Sequence, residues 1–319
     1  MALGEFELID RYFARPSKRA VLGIGDDCAL LAAAPGMQLA VSSDMLVEGR
    51  HFLSTVAPQR LGHKALAVNL SDLAACGARP LGFTLALAMP RADASFLEPF
   101  SHGLFALADA HGCELVGGDT TQGPLNICIT AFGEVPAGTA LLRSGARAGD
   151  DVYVTGSVGD ARLALEVFRG TSALPGDAFD AVRCAMEMPT PRVAFGQALR
   201  GVATSAIDIS DGLLGDLAHI LRASRVGARI EVDAVPRSAI LRTRPPHWQR
   251  VCTLAGGDDY ELLFTAPSGR AAEVSAAGMA GGCDVTRIGR IEADAGLRLV
   301  DANGATVPDT FVAFDHFRA

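Results

Sequence analysis

The chain has 319 residues and an apolar content of 49%, which predicts an ordinary folded protein of two domains. A formal net charge of −8 without a stripe of lysine and arginine argues against nucleic acid as a partner. Seven cysteines without a C-x-x-C pair favour free thiols in the cytoplasm over a disulfide or zinc framework. The sequence contains neither a signal peptide nor an apolar run long enough to cross a membrane.

In the first part of the chain, hydrophobic periodicity predicts a mixture of helices and strands. The predicted elements are a helix over residues 5–13, strands over 21–24 and 39–42, a helix over 61–75, a strand over 81–89, a helix over 96–111 closed by Gly112, and strands over 115–116 and 127–135. Residues 136–149, which are rich in Gly, Ala and Arg, contain the predicted domain boundary.

The second part of the chain also mixes strands with helices, but its helices cluster between groups of strands. The predicted elements are strands over 151–155 and 205–209, helices over 160–169, 191–201 and 212–223, and strands over 229–232, 262–265 and 287–291. We therefore predict an α+β / α/β fold with an N-terminal domain over residues 1–137, a linker over 138–149 and a C-terminal domain over 150–319.

Six apolar runs of the sequence end in aspartate. They are VLGIGDD at Asp27, LAVSSD at Asp44, ALAVNLSD at Asp72, CELVGGD at Asp119, SAIDISD at Asp211 with Asp208 inside it, and CTLAGGDD with Asp258 and Asp259. Short apolar runs are typical of buried strands, so we expect each acid to lie just past a strand, at the rim of a sheet.

Carboxylates gathered at a rim destabilise the protein unless cations neutralise them. Each like-charge pair at about 4 Å costs roughly 4 kcal/mol at an effective dielectric constant near 20. Most of these acids have Ser or Gly beside them, and glycine lets the backbone approach a phosphate closely. The pattern therefore predicts oxygen ligands for Mg²⁺ and chemistry on phosphate groups.

Several familiar nucleotide and catalytic motifs are missing from the sequence. It has no G-x-x-x-x-G-K-[ST] loop, no protein-kinase glycine loop, and no serine–histidine–aspartate signature. Lys64 and Arg143 are the available cationic side chains near the acidic motifs, and His51 follows the SSD turn in VEGRHF. We therefore expect a nucleotide to be held through metal ions more than through a basic cradle.

Taken together, these motifs resemble the thiamine-monophosphate kinase family along nearly the whole chain. The resemblance is carried by GEFELIDRYF, GIGDDCALL, SSDMLVEGRHF, KALAVNLSDLAACGARP, LVGGDTTQGPL, LLRSGARAGDDVYVTG, AIDISDGLLGDLAHI, GGDDYELLFT and the terminal FDHF. The GGD and SDG turns alone identify only the wider superfamily of aminoimidazole-ribonucleotide synthetase-like enzymes.

The resemblance implies ATP-dependent phosphorylation of thiamine phosphate to thiamine diphosphate by direct transfer assisted by several Mg²⁺ ions. It also implies a homodimer formed by the N-terminal domain, and a C-terminal domain that covers the nucleotide. The implied metal ligands are Asp27, Ser42, Ser43, Asp44, Asp72, Asp119, Asp208 and Asp211. The implied ATP contacts are Gly118, Asp119, Arg143 and Ser210, and the implied thiamine phosphate contacts are His51, Asp258 and Phe314.

This chain departs from the family pattern at two positions. Asp258 stands where the family has Glu, and Phe314 stands where Tyr or Trp is usual. Two other functions stay open at this point. One is a sister synthetase that activates an amide or formyl oxygen with ATP, although VEGRHF and GGDDYEL fit the thiamine phosphate branch better. The other is a nucleotide-binding scaffold without catalysis.

Overall fold

The computed structural model of the chain describes residues 4–25 and 28–312. The chain divides into two compact units, the first comprising Met1–Leu73 with Ala78–Gly138 and the second comprising Ala74–Gly77 with Thr139–Ala319. Each unit contains one β-sheet with helices in contact with it, which confirms the predicted two-domain α+β architecture. The finer domain bounds stay a prediction, and residues 139–149 belong to the second unit.

The first unit is built on a sheet of four strands. Its elements are α1 (Glu5–Tyr12), β1 (Met37–Val47), α2 (Pro58–Ala75), β2 (Arg79–Met89), α3 (Ala94–His111), β3 (Glu114–Gln122) and β4 (Asn126–Pro136). The strand order is β1-β4-β2-β3, so β1 and β3 form the two edges. β4 is antiparallel to both of its neighbours, whereas β2 and β3 are parallel because α3 carries the chain back between them.

The two faces of this sheet differ in burial. Leu85 of β2 and Ile129 of β4 are buried, whereas the alternate positions Ala86 and Cys128 are more accessible. Because side chains alternate along a strand, one face is packed and the opposite face is open. On β1 the open face carries exposed apolar side chains, among them Val41, which is 59% exposed.

The second unit is built on a sheet of six strands. Its strands are β5 (Asp150–Thr155), β6 (Ser205–Asp208), β7 (Gly227–Glu231), β8 (Leu262–Pro267), β9 (Val285–Glu292) and β10 (Gly296–Val300). Their order is β10-β7-β9-β5-β8-β6, and only β10 and β7 are parallel. Since β5 and β6 both run antiparallel to β8, both strands end at the edge of the sheet where β8 begins.

Helices of the second unit form two apolar clusters. The helices are α4 (Asp160–Phe168), α5 (Gly176–Glu187), α6 (Val193–Ala198), α7 (Leu213–Ser224), α8 (Ala239–Arg242), α9 (Pro246–Ala255) and α10 (Ala271–Gly281). Leu213 and Leu217 of α7 pack with the sheet, while Leu163 of α4 and Val182 of α5 belong to a second cluster. Replacing one such leucine by alanine costs about 2–5 kcal/mol, so α7 is firmly anchored beneath the loop that precedes it.

The expectation that each aspartate-ended run is a strand followed by a turn is wrong for four runs. Asp44 and Asp119 lie inside β1 and β3, Asp72 lies inside α2, and Asp259 follows α9. A short apolar run does not by itself distinguish a strand from a buried helix. Edge strands such as β1 and β3 also accept polar residues on an accessible face. Among the five runs whose final aspartates the structure describes, SAIDISD alone behaves as predicted, because β6 ends at Asp208.

Other differences have local causes. In the described part of residues 21–30, the predicted strand at 21–24 is reduced to the isolated bridge residues Leu22 and Ile24, of which Leu22 pairs with Leu30. The helix predicted over 191–201 is the shorter α6, which begins only after Pro191. The sequence reading missed α5, α8, α9, α10 and β10. In α10, the many Ala and Gly residues of AAEVSAAGMAG give no apolar stripe. No helix among the described residues is long and apolar enough to span a membrane.

Candidate functional site

In the first unit, two of the predicted metal ligands are in direct contact. The Ser42 hydroxyl donates a hydrogen bond to the carboxylate of Asp72. The backbone N–H of Asp44 donates to the side-chain oxygen of Asn69 at 3.2 Å, and Asn69 lies three residues before Asp72 on α2. We call these four residues the β1–α2 cluster. It places two carboxylates and a hydroxyl on adjacent rigid elements, in an all-oxygen set of the kind that Mg²⁺ prefers.

Ser43 and Asp119 lie on the opposite, open face of the same sheet. Residues that pair directly across neighbouring strands lie on the same face of a sheet. The pairs Asp119–Ala86, Ala86–Cys128 and Cys128–Met45 therefore put Asp119 on the same face as Met45. Ser43 is two residues from Met45 on β1, and its hydroxyl lies 3.0 Å from that of Thr130. Because β1 and β3 are opposite edges, three strand spacings separate them by about 14 Å. Ser43 and Asp119 of one chain therefore do not share one ion.

Gly118, a predicted ATP contact, is at a position that excludes any side chain. Its φ is +147°, which is reached mainly by glycine, and a Cβ there would lie 1.9 Å from the carbonyl oxygen of Leu85. The neighbouring Gly117 has room, since its Cβ would meet Thr84 at 3.7 Å. Because Gly118 has no side chain, the backbone just before Asp119 can lie close against β2.

His51 lies in the turn after β1, and its ring has a defined structural bond. Its Nδ1 accepts the backbone N–H of Val47 at 3.0 Å, so the neutral ring carries its proton on Nε2. The predicted cationic helper Lys64 is only 2% exposed, and its ammonium donates to the carbonyl of His51 at 3.2 Å. Lys64 therefore contributes to holding the turn that presents His51.

In the second unit, two loops meet at the end of the sheet where strand β6 finishes and strand β8 begins. We call residues 209–212 and residues 256–261 the paired loops. The N–H of Asp258 donates to the carbonyl of Ser210 at 2.7 Å, and the N–H of Tyr260 donates to the carbonyl of Ile209 at 2.9 Å. In the opposite direction, the N–H of Ile209 donates to the carbonyl of Glu261 at 2.8 Å. These bonds join the predicted ATP contact Ser210 to the predicted substrate contact Asp258.

The second of the paired loops has a strained backbone. Asp258 and Tyr260 have φ values of +71° and +53°, in the left-handed region that costs a residue with a side chain roughly 1–2 kcal/mol. The loop is fixed by flanking carboxylates. Both oxygens of Asp259 accept the N–H of Gly159, at 2.9 and 3.0 Å, and burial raises the pKa of Asp259 well above its usual value.

Glu261 anchors the end of the same loop. Its carboxylate receives two hydrogen bonds from Arg192 and one from the hydroxyl of Thr155, the last at 2.5 Å. Burial alone disfavours the guanidinium charge, but the hydrogen bond with Glu261 and the charge of Glu261 raise the pKa of Arg192. Arg192 therefore stays charged, and the bonds of Glu261 with Arg192 and Thr155 tie the loop to β5.

The first of the paired loops is held by Asp216, in the first turn of α7. Its carboxylate accepts the backbone N–H groups of Ser210, Asp211 and Gly212. Burial and then the charge of Asp211 raise the pKa of Asp216 to about 7. The predicted ligand Asp208 ends β6 and is 4% exposed.

Arg143, a predicted ATP contact, lies near α7. The hydroxyl of Ser224 donates to its carbonyl, and burial followed by the charge of Arg143 lowers the pKa of His219 on the same helix. The charge of Asp211 acts on His219 in the opposite direction. Arg143 and Asp211 are thus both within electrostatic reach of one ring.

Some predicted site residues are not brought together. Among residues 4–25 and 28–312, no three His, Cys, Asp or Glu side chains are grouped so that they could hold a metal ion. Asp27 and Phe314 lie outside the described residues. The predicted gathering of carboxylates is therefore limited, within each unit, to the β1–α2 cluster and the paired loops.

The motifs did not single out Asn69 or Asp216 as site residues. The position of Asn69, three residues before Asp72, indicates that both lie on one face of a helix. The position of Asp216 in the first turn of a helix indicates an interaction with the backbone N–H groups at the start of that helix. Its contact with three consecutive N–H groups requires the folded loop.

Comparison with known proteins gives the family. The AIR synthase related protein family matches residues 25–135 with its N-terminal domain and residues 147–302 with its C-terminal domain. The thiamine-monophosphate kinase of Salmonella typhimurium is 47% identical over 99% of both chains. The crystal structure of the thiamine-monophosphate kinase from Stenotrophomonas maltophilia is 43% identical with a TM-score of 0.87, and covers 96% of this chain and 99% of its own.

A structure of AaThiL complexed with AMPPCP and TMP is 30% identical with a TM-score of 0.77, and covers 90% of this chain and 89% of its own. The resemblance inferred from the motifs is thereby confirmed at the level of sequence, domain order and fold. The chain belongs to the thiamine-monophosphate kinase family, within the AIR synthase related proteins.

Proposed function

We propose that the chain transfers the γ-phosphoryl group of ATP to thiamine phosphate, giving thiamine diphosphate and ADP. The observation that carries the proposal is the 47% identity, over 99% of both chains, with a thiamine-monophosphate kinase. The AaThiL complex supports binding of AMPPCP and TMP by a protein of this fold. The sister-synthetase and scaffold alternatives have no comparable support.

The residues proposed to hold Mg²⁺ fit a hard cation, because the donors of the β1–α2 cluster are all oxygens. Ser42, Asp44 and Asp72 would act from the first unit, together with Ser43, Asp119 and Asp27. Asp208 and Asp211 would act from the second unit. Bound Mg²⁺ supplies charge neutralisation between two anionic phosphates and alignment of the acceptor with the γ-phosphorus.

The residues proposed to contact ATP are Gly118, Asp119, Arg143 and Ser210. Gly118 presents bare backbone, since no Cβ fits against the carbonyl of Leu85. Arg143 supplies a cation near α7, where the backbone N–H groups of residues 210–212 are already bonded to Asp216. The protein therefore offers phosphate few backbone donors at this loop, which is consistent with binding through metal ions.

The residues proposed to contact thiamine phosphate are His51, Asp258 and Phe314. The Nδ1 of His51 accepts the N–H of Val47, so the neutral ring has its N–H donor on Nε2, which suits an anionic substrate. Asp258 is held in a fixed left-handed conformation by Ser210 and carries a negative charge that suits the cationic thiazolium ring. Phe314 would contribute an aromatic face, which attracts cations in the same way.

Phosphoryl transfer in this site needs no strong base. An oxygen of a phosphate monoester is already largely ionised near neutral pH, so it attacks the γ-phosphorus directly once it is positioned. We therefore propose an in-line transfer without a phosphorylated enzyme. A chase with γ-labelled ATP should leave no label on the protein, and a trapped phosphorylated side chain would contradict direct transfer.

We further propose that the first unit forms a homodimer, in the cytoplasm. The open face of β1 carries Leu39, Val41 and Met45, which are 49%, 59% and 52% exposed. A row of exposed apolar side chains on one sheet face is typical of an interface. The seven cysteines include no C-x-x-C pair, which fits a reducing compartment. Sedimentation of the wild type as a dimer and of Val41→Glu as a monomer is the expected result, and a monomeric wild type would exclude this interface.

One assay tests the reaction. Purified protein with MgATP and thiamine phosphate should produce thiamine diphosphate and ADP in equal amounts, measured by chromatography. Formation of ADP only with an amide or formyl acceptor would favour a sister synthetase instead. Binding of ATP without turnover of any acceptor would favour the scaffold.

A further inference from the structure

A single carboxylate oxygen organises the first of the paired loops. Oδ2 of Asp216 accepts the N–H of Ser210 at 3.1 Å, of Asp211 at 3.2 Å and of Gly212 at 3.1 Å. Asp216 is only 3% exposed and belongs to α7, whose Leu213 and Leu217 are fully buried. The acceptor therefore lies on a rigid element, while its three donors lie on the loop.

These donors would otherwise be available to a ligand. Successive backbone N–H groups that point to one place in a turn form a concavity that favours an anion. Gly212, the N-cap of α7, has no side chain to satisfy them. Since Asp216 takes that place, the loop conformation is fixed by the protein itself.

The same loop is closed on its other side by the second of the paired loops. The carbonyl of Ser210 accepts the N–H of Asp258, and a Cβ on Gly257 would lie 2.3 Å from that carbonyl oxygen. The backbone of Ser210 is thus bonded through its N–H to Asp216 and through its carbonyl to Asp258. A shift of this residue has to move Asp258 as well, whose φ of +71° leaves it little freedom.

We propose that Asp216 is a positioning residue. Through the backbone of Ser210, it holds together the nucleotide side and the thiamine phosphate side of the site. The inference rests on the proposed function, in which Ser210 and Asp211 serve ATP and metal while Asp258 serves thiamine phosphate. Asp216 touches neither substrate and acts through the backbone of the paired loops. A displacement of about 1 Å in such a loop is enough to reduce catalysis by up to about a hundredfold.

The test compares three variants with the wild type. Asp216→Ala removes the acceptor, while Asp216→Asn keeps an oxygen of the same reach. Glu166→Ala is the matched control, because Glu166 is also buried and also accepts three hydrogen bonds, but from Arg162, Arg169 and Thr171 around α4. Steady-state kinetics give kcat and both KM values, and thermal unfolding gives the stability of each variant.

We expect Asp216→Ala to raise KM for MgATP and for thiamine phosphate together, each by about tenfold or more, and to lower kcat. Asp216→Asn should stay within about threefold of the wild type, because the acceptor oxygen is retained. Glu166→Ala should lose thermal stability without changing either KM. Should Asp216→Ala not fold, Asp216→Glu, which displaces the acceptor but keeps the charge, is assayed with the same expectation.

Hydrogen exchange provides a readout that does not depend on turnover. In the protein without ligands, Asp216→Ala should accelerate exchange at the amides of residues 210–212 and at Asp258, relative to Glu166→Ala. Unchanged exchange and unchanged KM values in Asp216→Ala would overturn the inference. So would a rise in KM for MgATP alone, or equal KM changes in Glu166→Ala. If the wild type forms no thiamine diphosphate, the proposed function fails, and exchange still decides the role of Asp216.

Discussion

The β1–α2 cluster and the paired loops hold their carboxylates in different ways. In the β1–α2 cluster, Asp72 and Asp44 lie on a helix and a strand, and their partners are the side chains of Ser42 and Asn69. In the paired loops, the acids lie on or beside irregular backbone, and their partners are mainly backbone N–H groups. The first arrangement places carboxylates on regular elements beside other oxygen donors, whereas the second uses buried carboxylates to shape the loops.

The comparison has a functional consequence. Acids of the β1–α2 cluster should be needed for charge, because their own geometry is set by regular elements. Buried acids around the paired loops should be needed for shape, so a neutral side chain of the same form should replace them. Substitutions that remove charge and keep shape therefore separate the two regions.

The largest effect is expected for Asp72→Asn in the β1–α2 cluster. It should lower kcat by about 10²–10³-fold while the fold is retained, because a charged ligand is lost from a site that balances phosphate charge. The control is Glu134→Gln, a buried carboxyl of the same unit that is paired with Arg79. That control should lower the melting temperature and leave kcat unchanged, and near-normal activity of Asp72→Asn at ordinary Mg²⁺ would refute the assignment.

Gly118→Ala should cause the next largest effect. A Cβ 1.9 Å from the carbonyl oxygen of Leu85 forces β3 to move, and the φ of +147° adds strain of about 1–3 kcal/mol. We expect affinity for an ATP analogue, measured by calorimetry, to fall by about tenfold or more. The adjacent Gly117→Ala, whose Cβ has ordinary contacts, should bind the analogue normally. Equal losses in both variants would mean that β3 is merely sensitive to substitution.

Asp258→Asn tests the acid of the paired loops whose proposed charge role is toward thiamine phosphate. Asparagine tolerates the left-handed conformation, so stability should not change. KM for thiamine phosphate should rise about three- to tenfold through loss of attraction for the thiazolium, with kcat and KM for ATP nearly constant. A substrate analogue without the positive charge should bind both proteins equally, and a persistent difference would place Asp258 elsewhere in the mechanism.

The smallest effect concerns Asp160, which accepts a hydrogen bond from Ser238 at 2.7 Å and whose pKa is raised by burial. A carboxyl with a raised pKa binds more protons in the folded state than in the unfolded state. Its contribution to stability is therefore fully present below its ordinary value of 3.8 and is lost as pH rises through the folded pKa.

Asp160→Asn keeps the acceptor for Ser238 and removes the titration. Its melting temperature should exceed that of the wild type by about 2–4 °C at pH 7, and the difference should vanish below pH 3.8. Calorimetric scans across this range measure it. A difference independent of pH would exclude the titration of Asp160 as its cause.

Most of the regular elements were predictable because their signals are local. α3 has an amphipathic run bounded by Asp93 and Gly112, both of which act as caps in the structure. α10 has no such signal, since its burial comes from contacts made far along the chain. Asp259 was expected after a strand, but it follows α9, because a short apolar run looks the same in a buried helix.

The candidate site divides along the same line. The motifs predict which residues offer oxygen atoms as ligands. Two pairs of these predicted residues are in contact in the structure, Ser42 with Asp72 and Ser210 with Asp258. Their separation could not be read from the motifs. Ser43 and Asp44 are adjacent in sequence, yet strand alternation sends them to opposite faces, and pairing through β4 and β2 puts Asp119 at the far edge.

The sequence by itself determined the family, the order of the domains and the residue types available for metal and phosphate, because those are properties of composition and of motifs within short spans. Only the tertiary structure decided which carboxylates accept hydrogen bonds from a side chain on a neighbouring element and which accept them from the backbone of a loop. That distinction depends on long-range contacts, such as Ser42 with Asp72 and Asp259 with Gly159, which bring together residues 30 and 100 positions apart. The role of a carboxylate depends on the residues around it, and the tertiary structure determines which residues those are.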